Sequence, residues 1–145
     1  IFGVTTNFLI GYTYMYPEDL NYDLSGPDSS YYKDRNEILN FRYRHSAKAD
    51  IDFAYKGFTA GLTGFINSYM ENIDRLMNLG VAGLRLYRET HEEPTYSLDG
   101  RAGYKFKNDM KIMLIVKNIT NHQYSIRPAF LEAPRNYTVQ LSYEF

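Results

Sequence analysis

Between Leu39 and Lys56 two kinds of side chain alternate, and this alternation restricts the fold more than any other feature of the chain. The odd positions are Leu39, Phe41, Tyr43, His45, Ala47, Ala49, Ile51, Phe53 and Tyr55. The even positions are Asn40, Arg42, Arg44, Ser46, Lys48, Asp50, Asp52, Ala54 and Lys56. The first set is apolar or aromatic except His45, and the second is polar or charged except Ala54. Successive side chains of a strand point to opposite faces, so the pattern predicts one two-faced strand over 38–56. About 17 residues at about 3.3 Å each reach roughly 56 Å. Strands of globular proteins usually stop by about 10 residues, and a tilted membrane strand needs about 9–11 to cross the lipid band. The surplus length is expected to stand above a membrane.

The same period recurs along the chain and predicts further strands over 5–15, 58–69, 96–106, 110–119 and 136–145. Phe8, Ile10, Tyr12 and Tyr14 alternate with Asn7, Leu9, Gly11 and Thr13. Leu98, Gly100, Ala102, Tyr104 and Phe106 alternate with Asp99, Arg101, Gly103 and Lys105. The strand at 110–119 is apolar on both faces at its centre, and Ile112, Leu114 and Val116 are expected on the lipid side. The connections alternate as well. Lys56-Gly57 and Lys107-Asn108-Asp109 read as tight hairpins, whereas the stretches near 16–37, 71–95 and 120–135 are long. Short turns at one end and long loops at the other are the asymmetry of outer-membrane barrels, periplasmic and extracellular respectively. By that rule the last strand runs inward. Tyr55, Phe58, Phe106, Tyr143 and Phe145 then form a girdle at the inner face, and Tyr14, Tyr43 and Tyr69 fall nearer the outer one. The expected fold class is all-β, an antiparallel transmembrane β-barrel segment of about six strands.

Composition bears on what remains. Sixteen basic residues against 17 acidic ones give a net charge of −1, which does not suggest a nucleic-acid partner. The absence of Cys removes disulfides and thiolate metal sites. Fifteen Tyr and nine Phe with no Trp suit half-buried sheets and membrane–water interfaces. The longest apolar run, Ile112 to Val116, lies between two lysines and is far short of a spanning helix. The opening IFGVTT has no signal-peptide pattern, so a mature protein or a fragment is expected. No nucleophile–base pair, phosphate-binding glycine loop or paired-carboxylate motif stands out, and neither an enzyme nor a cofactor is expected. His45, His91 and His122 are too scattered to suggest a metal centre.

The stretch MKIMLIVKNITNHQYSIRPAFLEAPRNYTVQLSYEF resembles the end of a TonB-dependent outer-membrane receptor. The likeness rests on Val116, Asn118, Ile119, Tyr124, Arg127, Pro128, Ala133, Pro134, Arg135 and Phe145, with Gly11-Tyr12-Thr13-Tyr14 and, more loosely, 42–74 in support. It implies a 22-stranded barrel around an N-terminal plug, located in the bacterial outer membrane. Such a receptor takes up a siderophore, cobalamin, haem or a glycan, and TonB reaches it through the plug. Residues 1–145 would then be the C-terminal part of the barrel, with the plug outside this chain. Six strands cannot close a barrel, because the smallest known type has eight. The partners implied are the lipid bilayer, the remainder of barrel and plug, and other outer-membrane subunits such as a surface lipoprotein. Tyr137, Val139, Leu141, Tyr143 and Phe145 resemble the terminal signal read by the barrel-assembly machinery, which would act by strand addition. Two alternatives are an accessory barrel in a larger outer-membrane complex and a small eight-stranded barrel with an extra strand hidden at 81–87.

The polar register supplies the candidate lumenal residues Arg42, Arg44, Lys48, Asp50, Asp52, Lys56, Asp99, Arg101 and Lys105. They read as a ligand path, as plug contacts, or as the network that solvates a barrel interior. The loop 16–37, with six acidic residues, two basic ones and four Tyr, is a candidate ligand mouth or a solvated surface loop. Glu71 to Met77 is expected to form a short helix. Asn118-Ile119-Thr120 and Asn136-Tyr137-Thr138 match the glycosylation sequon but fit better as strand ends.

Overall fold

The computed structural model describes residues 3–18, 20 and 38–144. Six strands, β1 (Thr5–Tyr14), β2 (His45–Tyr55), β3 (Phe58–Asn67), β4 (Thr95–Lys105), β5 (Met110–Lys117) and β6 (Asn136–Tyr143), form one antiparallel sheet in sequence order. Two short helices, α1 (Arg75–Gly80) and α2 (Leu84–Thr90), lie in the connection between β3 and β4.

The registers carry the sequence alternation across the whole sheet. Ile51 faces Phe8 on one side and Leu62 on the other, and Leu62 faces Gly100. Gly100 faces Val116, which faces Tyr137. Ile112, Leu114 and Val116 pair with Tyr104, Ala102 and Gly100 and with Leu141, Val139 and Tyr137, so all three lie on the apolar face. That face is uncovered: Phe8 is 74% exposed, Ile10 72%, Val139 64% and Leu141 68%. On the opposite face Asp52, Gly61 and Arg101 form one row, and Asp50, Thr63 and Asp99 the next. One-residue slips would exchange the two faces, so a single register satisfies every strand.

The two ends of the sheet differ. At one end Lys56 and Gly57 both take positive φ, at 45° and 87°, and close β2 onto β3 in two residues. A Cβ on Gly57 would sit 2.8 Å from the Lys105 carbonyl, which reserves the position for glycine. The β4–β5 turn is also tight, with Phe106 N–H bonded to the Met110 carbonyl at 2.7 Å and Asp109 at φ 61°. The three long connections all leave from the other end. Tyr55, Phe58, Phe106 and Tyr143 gather at the turn end, as the alternation predicts. Phe145, the last of that set, lies outside the described residues.

Two expectations are corrected. Strand β2 starts at His45 rather than near 38, so the length argument for a protruding strand fails. Its 11 residues are the length that a tilted lipid-crossing strand needs. The alternation at Leu39, Phe41 and Tyr43 is real, but a strand also needs a paired neighbour. Strand β1 stops at Tyr14, and Pro17 just beyond it has no N–H to give a ladder. Leu39 N–H instead bonds the Pro17 carbonyl, and Phe41, at φ 61°, bonds the Asn72 carbonyl. Arg42 and Arg44 therefore precede the strand they were expected to occupy. The second correction concerns 81–87, where no extra strand forms. Gly83, at φ 81°, precedes α2, which begins at Leu84. The short helix expected over 71–77 is present as α1, shifted to Arg75–Gly80 and capped by Asp74, whose carboxylate accepts from the Leu76 and Met77 amides.

Among the described residues, no apolar side chain of the sheet strands is buried. The buried apolar cluster, Met70, Ile73 and Leu84 with Tyr43 packed against it, belongs to the loops. Ile73 is 1% exposed, as is its neighbour Asn72, whose amide donates to the Ile38 carbonyl at 2.7 Å. A folded cap thus sits at the loop end.

Candidate functional site

Two arrangements stand out, one on the polar face and one in the cap. On the polar face Arg101 reaches from β4 across β3 to β2. Its Nε donates to Asp52 Oδ1 at 2.9 Å, its Nη2 pairs with Asp50 at 2.9 Å and Asp52 at 2.7 Å, and its Nη1 donates to Thr63 Oγ1 at 2.5 Å. The Thr63 hydroxyl in turn donates to Asp50. The crossing is possible because Gly61 lies between Asp52 and Arg101. A Cβ there would fall 2.6 Å from Arg101 Nε and overlap the Asp52 carboxylate. One guanidinium thus binds two carboxylates in fork geometry and locks three strands in register.

The expected polar residues are only partly brought together. Asp50, Asp52 and Arg101 converge. Lys48 shares their face and is exposed. Asp99 is used locally, accepting from the Asn118 amide at 2.9 Å and the Ser97 hydroxyl at 3.2 Å. Lys105 stands at the turn end, where it pairs with Glu144 at 2.8 Å and Asp109 at 3.5 Å. Lys56 lies over the Tyr55 ring. Arg44, ahead of the strand, pairs with Glu71 at 2.9 Å and lies over the Tyr16 ring, while Arg42 donates to the Phe41 carbonyl at 3.4 Å. Of the 16–37 loop only 16–18 and 20 are described, so the proposed mouth lies largely outside the described residues.

The Val-x-Asn and Ala-Pro-Arg motifs acquire a structural role. Asn118 ends β5 in the left-handed region, at φ 51°, and is 2% exposed. Its side chain accepts from the His122 amide at 3.0 Å and donates to the His122 and Ala133 carbonyls. Asn121 accepts from the Arg135 amide, and the Arg135 guanidinium donates to the Ile119 carbonyl. Both ends of the 118–135 loop are thereby tied together. At its tip Pro128 and Ala129 turn the chain between Arg127 and Phe130, and Glu132 N–H returns to the Tyr124 carbonyl.

That loop forms one wall of a cavity of about 320 Å³, and the 81–95 stretch forms another. Ring-bearing side chains dominate the lining: Tyr43, Tyr69, Tyr87, His91, His122, Tyr124 and Phe130. Several rings are held by neighbours. His91 stacks on Tyr87 at 4.2 Å and 14°, and His122 lies between Tyr96 at 4.1 Å and Tyr124 at 6.4 Å, nearly parallel to both. Phe65 meets Tyr124 edge-on. The Tyr43 hydroxyl donates to the Ile126 carbonyl at 2.6 Å, and desolvation, assisted by the Glu132 charge, pushes its pKa up. Burial does the same to Tyr87. Arg88 caps the Tyr69 ring at 4.9 Å and donates to the Met70 carbonyl at 2.8 Å.

Sequence reasoning missed this cavity. Tyr43 and Tyr69 stand at the loop end, the side on which the alternation expects them, and there they line the cavity. No local pattern marks the cavity, because its walls come from stretches as distant in the chain as Tyr43 and Leu131 that only the tertiary structure brings together. The third histidine, His45, stays at the loop end of β2 and shares a hydrogen bond of 2.8 Å with the Tyr12 hydroxyl. No family model, curated protein or solved structure matches the chain.

Proposed function

We propose that this chain is the C-terminal stretch of a TonB-dependent outer-membrane receptor, supplying lipid-facing wall, lumen wall and three outer loops for uptake of a nutrient such as a siderophore, cobalamin or a glycan. The observation that carries the reading is the sheet's two-facedness. Phe8, Ile10, Leu62, Leu114, Val139 and Leu141 all lie exposed on one face. A contiguous apolar surface on that scale is unfavourable in water and suits lipid. Lipid demands paired backbone groups, which the ladders supply between neighbouring strands. The outer edges of β1 and β6 then require further strands, which the proposed 22-stranded barrel provides around its plug. The opposite face, with Asp50, Asp52 and Arg101, suits a polar lumen. The position of every long loop at one end supports the proposed orientation, with the cap outside the cell and the tight turns in the periplasm.

The terminal residues fit an assembly signal. Tyr137, Val139, Leu141 and Tyr143 project from one side of a strand that pairs with β5 alone among the described residues. Its other edge is available for strand addition. Phe145 completes the proposed signal from outside the described residues.

Membrane fractionation with surface proteolysis tests the reading. The protein is expected in the outer membrane, with external protease cutting within 68–94 and 118–135 and sparing the Lys56-Gly57 turn. Recovery in a soluble fraction, or cleavage at that turn in intact cells, would sink it. The accessory-subunit reading draws on Leu76, Leu79 and Leu86, exposed on the cap helices. Stoichiometric co-purification of a surface lipoprotein that is lost on replacing these three leucines with Ser would favour it.

A further inference from the structure

Resting on the receptor reading, we propose that the cap cavity holds one or two rings of a neutral carbohydrate, stacked on Tyr87 and Tyr124 and hydrogen-bonded by Gln123 and Glu93. Size is the first argument. At about 320 Å³ the cavity stands at the small end of ligand pockets, which run about 300–1,000 Å³. It accommodates a small ring system rather than a large macrocycle.

Ring geometry is the second. A pyranose has an apolar face of C–H bonds and a rim of hydroxyls, so its natural partner is a flat ring beside polar side-chain ends. Tyr87 is backed by His91, and Tyr124 is steadied by His122 and Phe65. Rings fixed in advance lose little freedom when a ligand arrives. Tyr43 and Tyr69 spend their hydroxyls on backbone carbonyls. Among the described residues those of Tyr87 and Tyr124 have no such bond, which leaves them to a ligand's hydroxyls.

Charge is the third argument and separates the candidate classes. Among the described residues, Arg88 and Glu93 are the permanently charged side chains of the lining, beside the ring-stacked His91 and His122. Arg88 is already committed to the Met70 carbonyl and to the Tyr69 ring. An anionic metal chelate would face a carboxylate and only this engaged guanidinium. A quaternary ammonium ligand would find a cation already seated on a ring of the would-be cage. A neutral polyhydroxy ligand meets neither obstacle.

The test uses the full-length receptor purified from outer membranes and titrated calorimetrically with cellobiose, maltose, N,N′-diacetylchitobiose and a ferric catecholate chelate. At least one sugar should saturate it. Y87A and Y124A should each raise that dissociation constant about tenfold, equivalent to about 1.4 kcal/mol. Y124F, which keeps the ring, should bind much nearer to the parent, and this contrast separates lost stacking from misfolding. Failure of all three sugars to saturate, or alanine variants that bind like the parent, overturns the assignment. Binding of the chelate that R88A abolishes also overturns it, in favour of an anionic cargo. None of these results touches the receptor reading, which fails separately if the protein is not in the outer membrane.

Discussion

The sheet and the cap are built for different surroundings. The cap encloses Ile73 and Asn72 almost completely and has a small apolar core. The sheet leaves Phe8, Ile10, Val139 and Leu141 uncovered along one face. A water-soluble sheet of this size would be expected to place a second layer over such a face. Among the described residues the elements available for a second layer, α1 and α2, lie at the loop end. The contrast is what the proposed membrane placement requires: an apolar face left for lipid beside a cap that buries its own small core.

Substitutions that treat the faces unequally break this comparison most strongly. Leu114→Arg places a charge in the middle of the apolar face and should destabilise the protein by about 2–4 kcal/mol if that face meets lipid. Gln140→Arg, on the neighbouring strand and opposite face, should stay within about 0.5 kcal/mol. Equilibrium folding of the full-length protein into vesicles measures both. A cap change comes next. Asn118→Ala removes the buried side chain that accepts from the His122 amide and donates to the His122 and Ala133 carbonyls, and should cost about 1–3 kcal/mol, read as faster proteolysis of the 118–135 loop with the sheet's strand content unchanged. Gly61→Val drives a side chain into the Arg101 crossing, with a cost of about 1–3 kcal/mol expected from overpacking. Arg101→Met in the same background should recover part of that loss, because the obstructing guanidinium is gone.

The smallest effect concerns Tyr43. Tyr43→Phe removes the bond to the Ile126 carbonyl and should cost about 0.5–1.5 kcal/mol. Its pH signature has a fixed sign. Burial raises the folded-state pKa above the unfolded value, so the protonated phenol favours the folded cap. That contribution is complete below about pH 10, the ordinary tyrosine value, and is lost as pH rises through the folded one. Thermal melts at pH 8 and above pH 10 should therefore converge between parent and variant at the higher pH.

Much of the sheet was legible in the sequence because two-faced strands share one simple rule, a period of two. Strands β1, β3, β4, β5 and β6 begin and end within two residues of their expected bounds. The rule overran at Leu39 to Arg44, where alternation continues but Pro17 leaves no ladder to join. The cap was hardly legible. Asn118 could be recognised as part of a motif, yet its purpose, binding backbone groups of His122 and Ala133, depends on a left-handed turn that the spacing does not announce. The Arg101 crossing was half visible: the polar register supplied Asp50, Asp52 and Arg101, but the role of Gly61 needed the three strands in place. The cavity was invisible, because Tyr87 and Tyr124 become neighbours only through tertiary structure.

The most direct test of the central claim is the accessibility of single positions along β6. The chain has no native Cys, so a spin label can be placed in turn at 137 to 143 of the full-length protein in lipid vesicles. The account predicts that labels at Tyr137, Val139, Leu141 and Tyr143 relax with oxygen, which concentrates in lipid. Labels at Thr138, Gln140 and Ser142 should respond instead to a water-soluble nickel chelate. Uniform response to the nickel chelate at all seven positions would contradict it.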